Sequence, residues 1–599
     1  MKIMLIKQKP ILAFSLAGIL LSPYAACDLQ QQNGLDIRCQ PSSHTTPVIG
    51  ELSDLTLIGT SVADAPFATS AAEIVSYDSC TDLLYVVNAQ AKQVDILTMD
   101  EQGKPTAIGA INLQSAAKTA GIEIGAANSV SAYEGVVAVA IENANKQANG
   151  LIALYRSDNL KLIATYPTGA LPDMVSFSKD GRYIATANEG EPNANYQVDP
   201  EGSITLVDLA NGPANANVQQ INFKAFNKGG VRHNELPISV RISGPNATVA
   251  QDLEPEYLSF ADNGKLYVAL QENNALAVID VATARVDAIV GLGTKSWANV
   301  ALDASNKDKK IGNFKSYSQL ESLYMPDGIA SYTVNGNTYL VTANEGDSRE
   351  YGVDTTQQVC DESGYTWDEN DYTDTPDYTT KVGFCIAHTD EVRGKKLKID
   401  NQHPLVEALQ DKKQLARLKV VQPESKVDAN KPVYAFGSRS FSIWDDKGNL
   451  TFDSGDQFSQ TVFALEPRQL NSTHNNNQSG DNRSDDRGGE PEVVEVASIN
   501  DRHYAFIGLE RQGGIMVYDI TDPTKGRFIT YVNNRHYDQD VCTEVDDGDC
   551  KNGVYNPNAG DLGPESIEYF QRQGKHYLAV GNEVSGTTSV YQLQFKSHR

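Results

Sequence analysis

Cysteine is scarce in this chain, at 7 of 599 residues, and histidine contributes only 9. Basic residues are in deficit: Lys+Arg 50 against Asp+Glu 77 leaves a formal net charge of −27. That balance argues against a nucleic-acid partner, because a polyanion would be repelled rather than steered in. Cations, basic surfaces and neutral ligands remain. Beyond the N-terminus no apolar run is long enough to span a bilayer. GxGxxG, Walker A, HExxH and GxSxG signatures are missing, and Ser176-Phe177-Ser178-Lys179 meets SxxK only by chance inside a strand and turn. No CxxC or HxxxH spacing marks a zinc centre. His233, His388, His403, His474, His503, His536 and His576 share no ligand spacing. The 40% of residues that are hydrophobic suffice for a large core, so the chain is not a disordered one.

The N-terminus carries a targeting pattern. Lys2, Lys7 and Lys9 precede a mostly apolar stretch from Pro10 to Ala26, which gives way to a polar run at Asp28. Residues 1–26 read as a secretory signal and 27–49 as a linker, with a short membrane anchor as the alternative. Tyr24-Ala25-Ala26-Cys27 resembles a bacterial lipobox with Tyr where Leu is usual. Lipidation at Cys27 and ordinary cleavage beside it both stay open, and a lipid there is the one membrane attachment expected. The destination is the periplasm, the outer surface or the medium. The remaining cysteines agree with export: Cys39 with Cys80, Cys360 with Cys385 and Cys542 with Cys550 are the expected disulfides of an oxidising compartment.

One unit recurs along residues 50–599. It opens on Pro and an acid, continues as an alternating strand and a short turn, and ends its second strand on another acid. The copies begin "PDMVSFSKDGRYIATANEG" at Pro172, "PEYLSFADNGKLYVALQEN" at Pro255, "PDGIASYTVNGNTYLVTANEG" at Pro326, "PEVVEVASINDRHYAFIGLER" at Pro491 and "PESIEYFQRQGKHYLAVGNEV" at Pro564. Weaker copies begin at Glu73 and Ser129, the latter with Glu142 at the second-acid position. Third strands such as "GSITLVDL" and "GGIMVYDI" follow, and Asp-Gly, Asn-Gly and Asn-Asp turns suit tight hairpins. Repeated meanders of this kind predict an all-β chain: a seven-bladed β-propeller, with six or eight blades open because the spacing is uneven and a β-sandwich array as the alternative. "SDLTLIGTSV" near the start is placed to close the ring against the last blade.

Insertions interrupt the blades. Residues 191–202 and 211–252 read as polar loops. Residues 303–322 and 402–419 read as helical, the latter from Leu405, Leu409, Leu415 and Leu418. Acidic insertions fall at 350–385, 468–490 and 533–562.

The repeated acids are the strongest candidates for chemistry. The first acids are Asp173, Glu256, Asp327, Glu492 and Glu565; the second are Glu189, Glu272, Glu345, Glu510 and Glu583. Propeller symmetry would gather them near the axis, where crowded carboxylates need cations or donors. Hard oxygen ligands suit Ca²⁺, with Mg²⁺ as the alternative. The competing reading is that each acid accepts backbone N–H groups of the neighbouring blade. Two loops offer further calcium candidates: "GDNRSDDRGGEPE", with Asp481, Asp485, Asp486, Glu490 and Glu492, and "DVCTEVDDGDCKNG", with Asp540, Asp546, Asp547 and Asp549. Both compete with a plain solvated loop. Arg349, Arg483 and Arg487 lie beside acids and are the candidates for gripping an anionic ligand, or for pairing with those acids.

"TANEGDSREY" at 342–351, "SRSFSIWD" at 438–445, "RSDDRGGEPE" at 483–492 and "GPESIEYF" followed by "LAVGNEVSGTTSVYQL" at 563–593 resemble the choice-of-anchor I family. That family includes secreted bacterial proteins and is similar to mesenchyme-specific cell-surface glycoproteins linked to biomineralisation. The resemblance spans about residues 50–595 and implies a seven-bladed, YVTN-like propeller on an exported or surface protein. Gly489 stands where the family usually has Pro, and no sorting tail follows "YQLQFKSHR". Some members carry an alkaline phosphatase-like label, without catalytic residues to transfer. Two functions follow as expectations: a non-catalytic exported propeller that binds calcium and a surface or protein partner, or a metal-dependent phosphoesterase with Arg349 and Arg487 holding phosphate. The residues leave catalysis open.

Overall fold

The computed structural model describes residues 50–596 apart from 374 and 547–548. The signal and linker segments, with Cys27 and Cys39, lie outside the described residues.

Alternation and turn chemistry build the sheets. In the third repeat Pro172–Phe177 pairs antiparallel with Tyr183–Asn188, which pairs with Ser203–Asp208 and then Asn217–Asn222. The Asn335-Gly336 turn places both residues at positive φ, 51° and 79°, and joins Ile329–Val334 to Asn337–Ala343. This geometry matches the twist of a hairpin. Asn500 and Asp501, at φ 52° and 61°, do the same between Pro491–Ile499 and Arg502–Leu509.

Four-stranded antiparallel sheets of this kind recur along the chain, each corresponding to one copy of the sequence unit. Their first strands are Val75–Asp78, Ile124–Tyr133, Pro172–Phe177, Pro255–Phe260, Ile329–Val334, Pro491–Ile499 and Pro564–Arg572. Each first strand packs against the next, and the last packs against the first. Apolar side chains fill the space between successive sheets. Ile141 and Leu151 stand in the core shared with Val87 and Ile96, Trp444 in the core shared with Tyr267, and Val75 and Leu84 in the core shared with Phe570 and Tyr577. The architecture is a β-propeller in which no sheet buries both faces without its neighbours.

The last sheet is completed from the other end of the chain. Glu51–Val62 pairs antiparallel with Thr587–Lys596, from Glu51 opposite Lys596 to Val62 opposite Thr587. The fifth sheet is interrupted instead. Its third and fourth strands, Phe441–Asp445 and Leu450–Asp453, arrive after an excursion of nearly a hundred residues. Within it, Glu350–Thr356, Thr366–Tyr372 and Val382–Thr389 form a small sheet with the helix Gln357–Ser363, stapled by Cys360–Cys385. Cys542–Cys550 closes the short hairpin Val545–Asp546/Asp549–Cys550.

Three expectations are corrected. Residues 303–322 contain no helix, and 402–419 contain one short 3₁₀ turn, Ala408–Gln410. Leu405, Leu409, Leu415 and Leu418 are all buried, but in a core with Trp297 and Tyr317 that successive turns reach from several sides. Their helical spacing reports burial rather than a helix. The 211–252 segment is not wholly loop either: Asn217–Asn222 is the outer strand of the third sheet, and Val249–Asp252 is a short helix capped by Thr248.

Candidate metal centre on the propeller axis

Backbone irregularity places the first acids. The pairing of first and second strands slips between Pro172 and Met174, Pro255 and Leu258, Pro491 and Val494, and Pro564 and Ser566. The slips fall on Asp173, Glu256, Glu492 and Glu565, and a bulge re-aims the side chain it carries. The residue before the proline repeats a second oddity. Leu171, Met325 and Glu490 sit at φ 48°, 47° and 49°, a sparsely populated region for residues with a Cβ. The carbonyls of Leu171 and Glu490 accept the N–H groups of Glu189 and Glu510, at 2.9 and 2.8 Å. Each strained corner thereby ties the first acid of its sheet to the second.

Two of the second acids, Glu189 and Glu345, follow an asparagine anchored in its sheet. Asn188 and Asn344 are fully buried. Asn188 Oδ1 accepts from Thr186 Oγ1 at 2.9 Å while its Nδ2 donates to Thr205 Oγ1 at 3.0 Å. Asn344 repeats the pattern with Thr342 and Ser442, both at 2.8 Å. Gly346 packs against Gly437 so closely that a Cβ at either would collide with backbone, which explains the glycine after Glu345.

Both sets of acids stand at the same end of the sheets, and they converge. Burial raises Asp173, and Asp327, two sheets away, raises it further, to about 7. Glu256 is raised by burial, then by Glu272, Asp327, Glu189 and Asp173. Burial and then Glu583, Glu73 and Asp327 raise Glu565. Glu272 is pushed up to about 7, chiefly by burial. These are carboxyl groups of different sheets repelling one another across a common axis. The insertion after Glu345 stands over them, with Tyr351 beside Glu254, Glu272 and Glu189.

Among the described residues three groups bring ligand atoms within 4.8 Å of one another: Asp327/Glu345/Glu492, Glu345/Glu490/Glu510 and His474/Glu510/Glu583. They share members and form a string around part of the ring. The second and third already face arginine: Arg511 reaches Glu510 at 3.1 Å. Arg483 and Arg511 reach Glu490 at 2.6 and 3.1 Å, and His474 Nδ1 lies 2.9 Å from Glu510. Although burial pushes Glu490 up, Arg487, Arg483 and Arg511 hold it well below the carboxylate range. The first group differs. Gln271 Nε2 donates to Glu345 Oε2 at 2.6 Å, Asp327 hydrogen-bonds to Glu492, and Glu492 Oε2 is buried with no hydrogen-bond partner among the described residues. Burial, then Glu345, Asp327 and Glu565, raise Glu492 well above its ordinary range. Glu256 Oε2 and Glu272 Oε2, on the same ring, are buried and unpartnered as well.

The candidate arginines and the acids of the 481–492 loop are occupied by the chain itself. Arg349 is fully buried between Asp252 at 3.1 Å and Glu254 at 2.9 Å, and donates to Ser243 at 2.7 Å. Arg483 pairs with Asp486 at 3.1 Å as well as with Glu490, and Arg487 pairs with Asp347. In the 481–492 loop Asp485 takes Arg417 at 2.8 Å and Arg393 at 3.4 Å, Asp486 also faces Lys419 at 3.5 Å, and Asp481 accepts from Ser484 at 2.6 Å. In the 540–549 loop Asp546 is exposed and Asp547 lies outside the described residues. His474, Glu490, Gln271 and Glu73 join the ring without having been expected there. Of these, Glu73 had a signal as the opening residue of a weak repeat, and Glu490 as a member of the acidic 481–492 loop.

No helix among the described residues is long and apolar enough to cross a membrane. The model of the choice-of-anchor I domain matches residues 73–523. A mesenchyme-specific cell surface glycoprotein of Strongylocentrotus purpuratus is 27% identical over 335 residues, covering 51% of this chain and 40% of that protein. Gigasin-3a of Magallana gigas is 27% identical over 172 residues, covering 27% of this chain and 58% of its own. The chain therefore spans less than two thirds of either curated relative. Among solved structures, the β-propeller domain of Cps50 (Swd1) from Myceliophteria_thermophila superposes with a TM-score of 0.39 at 7% identity, covering 90% of this chain and 100% of that domain.

Proposed function

The chain belongs to the choice-of-anchor I domain family, and we propose that it is a seven-bladed, non-catalytic propeller displayed outside the cell, whose axial carboxylates bind divalent cations, calcium foremost. The closed order of seven first strands supports the blade number. The cell-surface relative, the disulfides and the N-terminal pattern support the location.

The observation that carries the cation reading is the Asp327/Glu345/Glu492 group. Two oxygens that each lie about 2.4 Å from one calcium ion are at most about 4.8 Å apart, and the ligand atoms here lie within 4.8 Å of one another. A buried, unpartnered Glu492 Oε2 among other carboxylates is costly unless a cation or a proton neutralises it. Calcium tolerates irregular oxygen shells better than magnesium, which demands a near-ideal octahedron. Against phosphoryl transfer, Arg349, Arg483 and Arg487 are each paired with acids of the chain.

Chelator-stripped protein should melt higher when calcium is restored; a ligand at a hundred times its Kd stabilises by about 2.7 kcal/mol. Asp327→Asn/Glu492→Gln should diminish the shift. The reading falls if calcium, magnesium and manganese all leave the melting temperature of the wild type unchanged.

A further inference from the structure

The net charge of −27 is unevenly spread. Residues 303–315 carry four basic residues against two acids, and residues 393–419 carry eight against three. The fold brings these two stretches together. Ser305 Oγ donates to the carbonyl of Lys412 at 2.7 Å, and Arg417 Nε donates to Asn306 Oδ1 at 3.1 Å. Leu302 and Lys315 exchange N–H···O=C bonds of 3.0 Å that close the first loop, and the N–H of Lys395 reaches the carbonyl of Ala416 at 2.8 Å. Leu302, Leu397, Leu409 and Leu418 share the core beneath them.

The basic residues divide into two sets. Arg417 and Lys419 are taken by Asp485 and Asp486 of the 481–492 loop, at 2.8 and 3.5 Å. Lys307, Lys309, Lys310, Lys395, Lys412 and Lys413 are exposed, and none pairs with an acid among the described residues. The acids interleaved with them are turned to the backbone. Asp303 accepts the N–H groups of Gly312 and Asn313 at 2.8 and 2.9 Å. Asp308 accepts that of Lys310 and Asp411 that of Lys413, both at 2.9 Å. The carboxylates thus fix the turns while the ammonium groups stand in solvent.

Among the described residues no large apolar side chain is exposed in either stretch. Membrane docking needs apolar anchors, single-stranded nucleic acid needs aromatic faces to stack on, and protein interfaces draw on aromatic or arginine anchors. Exposed lysines without any of these suit an extended polymer of repeated anionic groups. We propose that this patch binds an acidic polysaccharide, whose carboxylate or sulfate groups meet the lysines singly. At about 0.15 M salt, exposed charges more than about 8 Å apart are largely screened. The polymer therefore meets the patch rather than the acidic remainder of the molecule. Lysine is a point charge on a flexible stem, so binding follows charge density and salt rather than one sugar.

The test is elution of the full chain from immobilised heparin and immobilised alginate in a rising salt gradient. Chelator is present throughout, so that no calcium bridges the ring to the polymer. Retention on alginate shows that carboxylates suffice, and retention on heparin alone assigns the binding to sulfate. Lys307→Gln/Lys309→Gln/Lys310→Gln and Lys395→Gln/Lys412→Gln/Lys413→Gln alter exposed positions and should melt with the wild type. Each should bind about tenfold more weakly and elute at lower salt. Lys118→Gln/Lys161→Gln/Lys228→Gln, which removes three exposed lysines elsewhere, should elute with the wild type. Flow-through of the wild type on both matrices, or co-elution of the patch variants with it, would overturn the proposal. Tighter retention on duplex DNA or on anionic vesicles than on either polysaccharide would overturn it as well.

Discussion

Asp173 and Glu272 each hold a proton up to about pH 7, chiefly through burial, with Asp327 adding its charge at Asp173. The sign of the consequence is fixed. The native state keeps protons that the unfolded chain has released, so their contribution to stability is full below the ordinary carboxyl range and is lost as pH rises through about 7. Chelated protein should therefore melt lower at pH 8 than at pH 5.5, and saturating calcium should remove the difference. A melting temperature in chelator that is flat or rising across this interval would contradict the account of the ring. Arg349 makes the opposite case. Its charge is matched at zero exposure by Asp252 and Glu254. Arg349→Ala leaves two buried acids with one countercharge fewer and should cost about 3–5 kcal/mol in denaturant unfolding, while the calcium-dependent shift persists in the folded fraction. Proline-acid pairs made the ring acids readable from sequence. The pairing of Arg349 was not readable, because its partners lie nearly a hundred residues upstream on a different loop.

At the scale of elements, the seam between Glu51–Val62 and Thr587–Lys596 is where chain ends close the circle. Deleting residues 50–62 exposes a long unpaired edge and uncovers Leu578 and Leu593, which share a core with Leu52 and Leu55. The truncated protein should melt at least 10 °C lower and aggregate in light scattering; unchanged melting would mean the seam is dispensable. The strands were legible because alternation and Asn-Gly or Asn-Asp turns fix them locally. The excursions were not. Leu405, Leu409, Leu415 and Leu418 satisfy a helical period yet reach their core from turns, since Trp297, Tyr317 and Val433 supply the surface that a helix face would otherwise need. Asn217–Asn222 was missed for the converse reason: an outermost strand is polar and half exposed, and borrows its order from Ser203–Asp208.

For the whole molecule, repetition converts separate carboxylates into one electrostatic body. Asp173, Glu256, Asp327, Glu492 and Glu565 lie far apart in sequence and raise one another through a shared axis. The convergence was legible from register alone. Which acids are left without a counter-charge was not, because Arg483, Arg487 and His474 arrive on an insertion with no place in the repeat, and Arg511, although it follows Glu510 within its repeat, also reaches Glu490. The ring is most directly tested by calorimetric titration of chelator-stripped protein with calcium, in wild type and in Asp327→Asn/Glu492→Gln. Saturable heat in the wild type, with one class of sites missing from the variant, is the predicted result. Identical isotherms for the two proteins, or no calcium uptake by either, would contradict it.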